Sequence, residues 1–456
     1  MTVSTLQIVR NPATEQVLAE VPGATVAETR EAVQRAKRGF REWRALAPGD
    51  RATLLRAFGA AVLSHNEELA QLEVRNAGHT ISNARWEANN VADVIMYYAG
   101  SVERLLGQQI PVAGGVDLTF KEPLGVVGII VPWNFPMPIA SWGFAPALAA
   151  GCSVILKPAE TTPLSALRLA ELAHEAGIPQ DVFQVITGVG SVVGEALVRD
   201  PDVAKIVFTG STRVGVRIQE LAAPQVKPVT LELGGKSANI IFEDADLDRA
   251  ASSAPYAVFD NAGQDCCARS RLLVQASVLD AFLERFEAAV KAVRVEDPTL
   301  ETAEMGPLIT PEHRERVASY VDENTILFRG ACPEGPGYWY PPTVVGIEDT
   351  RHRSVREEIF GPVVVVQRFT DEAHAIALAN DSDYGLSGSI WTSNLGRGLR
   401  MARALESGAL SINSHSSVRY WTPFGGYKRS GLGRELGPDA TDAFCETKNV
   451  FINTEL

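Results

Sequence analysis

Basic residues are in the minority. Lysine and arginine number 42 against 55 aspartates and glutamates, and the resulting net charge of −13 excludes the basic stripe that a nucleic-acid surface needs. Cysteine is scarce and odd in number. Cys152, Cys266, Cys267, Cys332 and Cys445 are scattered and supply no disulfide framework, although the adjacent pair invites a reactive-thiol reading. The opening stretch MTVSTLQIVRNPATEQ lacks the apolar core of a signal peptide, so a cytoplasmic protein is expected. Neither CxxC nor HExxH occurs, and no metal site is expected. A GxGxxG fingerprint is missing as well, because GVGSVVG carries Val193 where the third glycine would stand. There is no fixed-period repeat and no low-complexity linker, so the lobes of the chain should pack closely.

Charge is also absent from Gly125 to Leu156, a run long enough to cross a bilayer. Pro132, Pro136, Pro138 and Pro146 interrupt it, and each proline in a helix interior costs about 3 kcal/mol. The better reading is a buried strand (GVVGIIV), a loop (PWNFPMP), a helix (IASWGFAPALAAG) and a second strand (CSVILK), which places the run inside an α/β protein and not in a membrane.

What is present supports that class. A chain of 456 residues with 46% hydrophobic and 21% charged residues suits two large globular lobes. In ETREAVQRAKRGFREWRAL, Val33, Ala36, Phe40 and Trp43 recur at helical spacing, and residues 52–76 repeat the pattern through Leu55, Phe58, Val62 and Leu69. From about residue 125 short β-rich runs (GVVGIIV, SVILK, FQVIT, AKIVFTG, SANIIF) are separated by helical stretches such as SALRLAELAHEAG, which predicts a parallel doubly wound sheet. A second α/β block follows ELGG. QIPVAGGVDLTFKEP reads as a hairpin and KNVFINTEL as an exposed strand, either of which could pair with another subunit.

Four segments carry chemistry. In FDNAGQDCCARSR (259–271) a thiol could act as nucleophile, since a thiolate attacks carbonyl carbon readily, or Cys266 and Cys267 could be small buried hydrophobes. Neighbours on an extended segment point to opposite sides, so only one of the two is expected to face a site. In VTLELGGKSANIIF, Glu232 ends a strand and precedes Gly234 and Gly235, which permit close backbone approach; the alternative is a solvated glutamate at a strand end. In AKIVFTGSTRVG a strand runs through Gly210 and Ser211 into a helix N-terminus, an anion site by its free N–H groups and dipole, though weak evidence alone. In PWNFP (132–136) Asn134 sits in a proline-stiffened loop, either as a simple turn residue or as an amide donor to a charged oxygen, worth roughly 100- to 1000-fold in rate.

In this order, PWNFP, KPAE, FTGST, LELGGKS, GQ-x-C and EEIFGPVV resemble the aldehyde dehydrogenase superfamily, and the likeness runs from NPATEQ to the KNVFIN tail. It implies a Rossmann-type cofactor domain (1–104 and 124–231), an α/β catalytic domain (232–430) and a small β oligomerisation element (105–123 and 440–456), forming a homodimer or homotetramer. Carried over by motif, the nucleophile is Cys266, the base Glu232, and the oxyanion donor Asn134 with the Cys266 N–H; Glu435 of GRELG would help position the water. Lys157 and Glu160 would hold the adenosine ribose, Gly210 and Ser211 the pyrophosphate, and Glu358 and Phe360 the nicotinamide ribose and ring. Pro132, Trp133, Gly190, Phe208, Val214 and Leu233 complete the cofactor groove. The carboxylate of Glu160 favours NAD over NADP, whose 2′-phosphate it would repel.

The chain departs from the family in a shorter ENTILFRGACPEGPGYWYPPTV stretch and in Trp142-Gly143, where WK is usual; neither removes a catalytic group. The activity implied is NAD-dependent oxidation of an aldehyde to its acid through a thioester on Cys266. Two alternatives are a CoA-acylating semialdehyde dehydrogenase, which an intact LELGGK disfavours, and a non-enzymatic use of the fold. The substrate stays open: Asp265 at the entrance would favour a cationic aminoaldehyde, whereas Arg419 near the same channel would favour a carboxylate-bearing semialdehyde.

Overall fold

The computed structural model describes residues 6–416 and 418–455; expectations touching residues 1–5, Ser417 and Leu456 lie outside them. The uncharged run folds as a strand, Val126–Ile130, then a helix, Pro136–Ala150, then the strand Ser153–Lys157. The helix begins earlier than the sequence pattern suggested. Pro136 and Pro138 lie in its first turn, where no intrahelical N–H is required, so proline is tolerated there. Every residue of both strands is buried, as expected of parallel strands covered on both faces.

These strands form the middle of a six-stranded sheet. Its spatial order is Gly431–Leu432, Val229–Glu232, Val203–Thr209, Val126–Ile130, Ser153–Lys157, Phe183–Val185, all parallel except the first. The chain leaves Val126–Ile130 toward one edge and returns on its other side at Val203–Thr209. A crevice opens beyond the carboxyl ends of strands at such a reversal. PWNFP, KPAE, FTGST and LELGG all stand at those ends.

Each face of the sheet has its own core. Val127, Ile129, Leu156 and Val207 pack with helices Pro48–Ser64, Ile81–Ala99, Pro136–Ala150 and Leu164–Glu175, while Val126, Ile155, Ile206 and Leu231 pack with Val26–Ala45 and Thr212–Ala222. Alternate residues of one strand therefore enter different cores, as a period of two dictates. Of the predicted apolar faces, Val33, Ala36 and Trp43 of the first helix are buried and Phe40 is half-buried; Leu55, Phe58 and Val62 are buried on the second helix, while Leu69 is buried on a separate one, Asn66–Ala77.

A second sheet of seven strands runs Ile326–Arg329, Thr343–Gly346, Val363–Phe369, Arg271–Gln275, Ala238–Ile241, Ser387–Trp391, Ala409–Ile412, with only the first antiparallel. The link between the sheets is short, since Glu232 ends one strand and Ala238 begins the next. The hairpin Gln109–Val112 and Gly115–Pro123 forms as expected, and the tail strand Cys445–Asn453 pairs along it within the same chain. Among the described residues no helix is long and apolar enough to cross a membrane.

Candidate active site

The segment before Cys266 is strained. Asn261, Ala262 and Gly263 all have left-handed backbone, with φ of 49°, 54° and 71°, and each non-glycine residue there costs roughly 1–3 kcal/mol. Neighbours hold it in place. A Cβ on Gly263 would stand 2.2 Å from the Gly361 carbonyl oxygen, and the Gln264 side chain accepts from Ile309 N–H at 2.9 Å while donating to the Asn261 carbonyl at 3.1 Å. The cysteines then sit in a turn and not on an extended segment: Ala268 N–H donates to the Asp265 carbonyl at 3.0 Å and Cys267 N–H to Asp265 Oδ1 at 2.8 Å. The turn corrects the expectation that the two thiols point apart. Both sulfurs and the Asp265 carboxylate lie within 4.8 Å of one another, with Cys266 half-buried and Cys267 buried.

Asn134 meets this segment directly. Its Nδ2 donates to the Gln264 carbonyl at 2.9 Å, and its own carbonyl accepts from Asn261 Nδ2 at 2.8 Å. One N–H of the amide is thereby fixed, and the side chain is buried beside the turn that carries Cys266. Glu232 ends its strand opposite Thr209, and its backbone carbonyl accepts from Gly210 N–H at 3.0 Å. Gly235 packs against the nucleophile turn so closely that a Cβ would lie 2.3 Å from the Cys266 carbonyl oxygen.

Carboxyls crowd this centre without cations bonded to them. Glu232 and Glu435 are buried, and among the described residues neither has a hydrogen-bond partner for its carboxyl oxygens. Burial, reinforced by Glu435, raises Glu232 well above the ordinary range, and burial pushes Glu435 up to about 8 against the pull of Lys205. Glu358 accepts from Gly235 N–H at 2.8 Å and is pushed by burial up to about 7. The Cys266 thiol is raised as well, first by its contact with Cys267, then by burial and by the charges of Cys267, Asp265 and Glu358.

The expected groove residues line up along the crevice. Glu160 accepts from Gly190 N–H at 2.6 Å and lies 3.7 Å from buried Lys157 Nζ. Ser211 caps the helix Thr212–Ala222, its hydroxyl accepting from Val214 N–H, and the Phe208 ring fills the space a Cβ on Gly210 would need. Val214 is partly exposed at the head of that helix, while Leu233 is buried against Gly215. Trp133, which follows half-buried Pro132, meets Phe360 edge-on at 5.3 Å and His313 at the same distance. Phe360 has φ of 62°, and its carbonyl accepts from His313 Nε2 at 2.6 Å; burial pushes His313 down to about 4, so this ring is neutral.

These donors fit a dinucleotide. A capped helix N-terminus suits phosphate, the Lys157–Glu160 pair suits sugar hydroxyls, and the acid-rich end beside Cys266 suits a cationic ring. Sequence reasoning did not assign Asn261, Gln264 or His313. The first two stand in the quoted DNAGQ stretch, where Asn and Gly signal left-handed turns; His313 carries no local signal.

A cavity of about 390 Å³ opens on Cys266 from the other side. Its walls include Trp86, Phe135, Trp142, Tyr256 and Phe424, with the acidic residues Asp260 and Asp265; Glu87 also borders it, but its carboxyl is buried against His79. Burial pushes Asp260 up to about 7 and also raises Asp265. The one guanidinium in this wall, Arg269, is held by Ser387, Ser389 and the carbonyls of Cys267 and His415. Arg419, expected near the channel, is exposed beside the lining residues Ser416 and Val418, and its guanidinium bonds back to Ser416.

Comparison with known proteins agrees with this geometry. The model of the aldehyde dehydrogenase family matches residues 2–450. The chain is 39% identical to a peroxisomal aminoaldehyde dehydrogenase of Malus domestica, covering 96% of this chain and 91% of that protein. It is also 39% identical to a chloroplastic betaine aldehyde dehydrogenase of Amaranthus hypochondriacus, over 97% and 92%. The crystal structure of betaine aldehyde dehydrogenase from Staphylococcus aureus in complex with NAD+ superposes with a TM-score of 0.96 at 38% identity, covering 99% of this chain and 92% of that one.

The shared turn makes the adjacent cysteines separable only by substitution. Cys266→Ser is expected to abolish aldehyde-dependent NADH formation and Cys267→Ser to keep most of it. The reverse pattern in the same assay would move the nucleophile by one residue.

Proposed function

The chain belongs to the aldehyde dehydrogenase family, and we propose that it oxidises a cationic aldehyde to the carboxylic acid with NAD, using Cys266 as nucleophile. The observation that carries the substrate class is the wall around Cys266, where the acidic residues Asp260 and Asp265 stand among aromatic rings. Carboxylates attract a cation, and each aromatic face adds about 0.5–2 kcal/mol for an ammonium group placed over it. An ammonium would also let Asp260 and Asp265 ionise, reversing the cost their burial imposes. Two similar relatives named for aminoaldehyde and betaine aldehyde support the same reading.

In the mechanism the Cys266 thiolate adds to the aldehyde carbon, and the resulting oxyanion takes hydrogen bonds from the side-chain amide of Asn134 and from the Cys266 backbone. Bound NAD would supply the hydride acceptor, held by Lys157, Glu160, Ser211 and Glu358. Glu232 then removes a proton from water as it attacks the thioester, and Glu435 beside it shares the proton load. A general base works best when its pKa lies near the working pH, and burial moves Glu232 upward from the ordinary carboxylate range. Its ionised fraction, and with it the hydrolytic step, therefore grows as pH rises.

On this reading residues 1–104 and 124–231 form the cofactor domain, 232–430 the catalytic domain, and 105–123 with 440–456 the oligomerisation element. The tail strand leaves one edge unpaired within the chain, with Phe451 and Ile452 exposed, which suits a homodimer or homotetramer. A CoA-acylating reading has no comparable support, because Glu232 stands where an activated water is needed.

A substrate survey tests the class. An ω-amino or trimethylammonium aldehyde is expected to exceed its neutral isostere by at least about tenfold in kcat/KM, in line with one or two cation–aromatic contacts plus a charge. Asp265→Asn should narrow that gap while affecting the neutral aldehyde less. Equal use of both, or preference for a carboxy-aldehyde, contradicts the assignment.

Hydrolysis is tested at Glu232. Glu232→Gln should give an NADH burst near one equivalent per site and then slow turnover, with the rise of kcat toward alkaline pH lost. Normal steady-state rates would remove Glu232 from the mechanism, and loss of the burst would give it a role before hydrolysis.

A further inference from the structure

Behind the Asn134 loop lies a buried cluster that the mechanism above does not use. Helix Asn66–Ala77 ends at Gly78, whose φ of 80° turns the chain into His79; Thr80 then precedes helix Ile81–Ala99. This sharp turn drives His79 inward between Glu73 of the first helix and Glu87 of the second. All three are buried, with exposures of 3%, 0% and 1%. His79 Nδ1 lies 2.6 Å from Glu87 Oε1, and one polar atom of each residue falls within 4.8 Å of the others. That N–O spacing fits a shared proton better than two ligands around one ion. Burial alone would disfavour the charged ring, but Glu87, and then Glu73, outweigh it and push His79 up to about 9. The two carboxyls thus favour the charged ring, whose nitrogens, among the described residues, approach their neighbours without a well-aligned hydrogen bond.

The ring faces the oxyanion loop. Its centroid is 5.5 Å from that of Phe135, and the backbone carbonyl of Asn134 faces it. The same carbonyl takes the Asn261 amide at 2.8 Å, so Asn261 holds it from the nucleophile side. Glu87 and Phe135 in turn form part of the wall around Cys266. Folding alone gives no reason for three ionisable groups here, since well-packed apolar residues of similar volume are often as stable.

We infer that His79 is a positioning residue, whose ring, clamped by Glu73 and Glu87, fixes the Asn134–Phe135 turn and thereby aims the Asn134 amide. The inference rests on the reading of Asn134 as the oxyanion donor. Removing a supporting group of this kind costs about 10- to 100-fold where it orients a ligand of the reacting centre.

A double-mutant cycle separates this from a structural role. His79→Asn should lower kcat/KM by about 10- to 100-fold, while NAD affinity and the alkylation rate of Cys266 stay within about twofold. In the Asn134→Ala background the same substitution should have no further effect on kcat/KM. Additive losses, or a parallel fall in NAD affinity and alkylation, overturn the inference. If Asn134→Ala itself keeps full activity, the oxyanion reading fails first, a distinct outcome. Should His79→Asn not fold, His79→Lys keeps a cation between the carboxyls but cannot both pack on Phe135 and face the Asn134 carbonyl. A loss that vanishes in the Asn134→Ala background supports the inference, and no loss or an additive one overturns it.

Discussion

Gly235 touches the Cys266 carbonyl at a distance no side chain would allow, a Cβ there falling 2.3 Å from the oxygen. This contact joins the two sheets. Glu232 closes a strand of one sheet, two glycines follow, and Ala238 opens a strand of the other. Gly234 gives way to Glu358 on the same stretch, where a Cβ would lie 2.3 Å from its Oε2. A thiol from one sheet, a carboxyl from the other and a second carboxyl from EEIFGP therefore converge without any long side chain spanning the gap. The left-handed backbone of Asn261 and Ala262 is the strain that accompanies this convergence, held by Gln264 and Gly361 from neighbouring segments.

Convergence creates an electrostatic problem. Glu232, Glu435, Glu358 and Asp265 are drawn toward one half-buried thiol, and burial raises each of them. Contact with Cys267, burial and the charges of Asp265 and Glu358 disfavour the Cys266 thiolate, so this thiol is restrained in the free protein. Two cations answer this arrangement in the proposed function: the oxidised nicotinamide on one side of Cys266 and a cationic substrate on the other. Both would stabilise carboxylate and thiolate alike, which ties activation of the sulfur to arrival of the reactants.

Much of this centre was legible in the sequence, for a physical reason. Asn134, Lys157, Gly210, Glu232 and Cys266 stand beside prolines or glycines at strand ends, and such local signals survive in one dimension. The turn at Asp265–Ala268 was misread as extended, because the Asx-type bond from Cys267 N–H to Asp265 Oδ1 competes with strand geometry and has no periodicity. Arg419 stands beside the wall residues Ser416 and Val418, but the direction of its side chain, folded back on Ser416, had no signal in the sequence. His79 and Glu87 meet only because Gly78 turns one helix back beside the next, and His313 meets Phe360 across 47 positions, so no local pattern marked these contacts.

The central claim is that carboxyls and burial restrain Cys266 until a cation arrives. It is tested most directly by the pH dependence of Cys266 alkylation with iodoacetamide, with Cys267 retained and the alkylated residue located by peptide fragmentation, in the presence and absence of NAD. Without NAD the apparent thiol pKa should lie above the ordinary value of about 8.5, and saturating NAD should lower it. An apparent pKa at or below that value in the free protein, unchanged by NAD, would contradict the account.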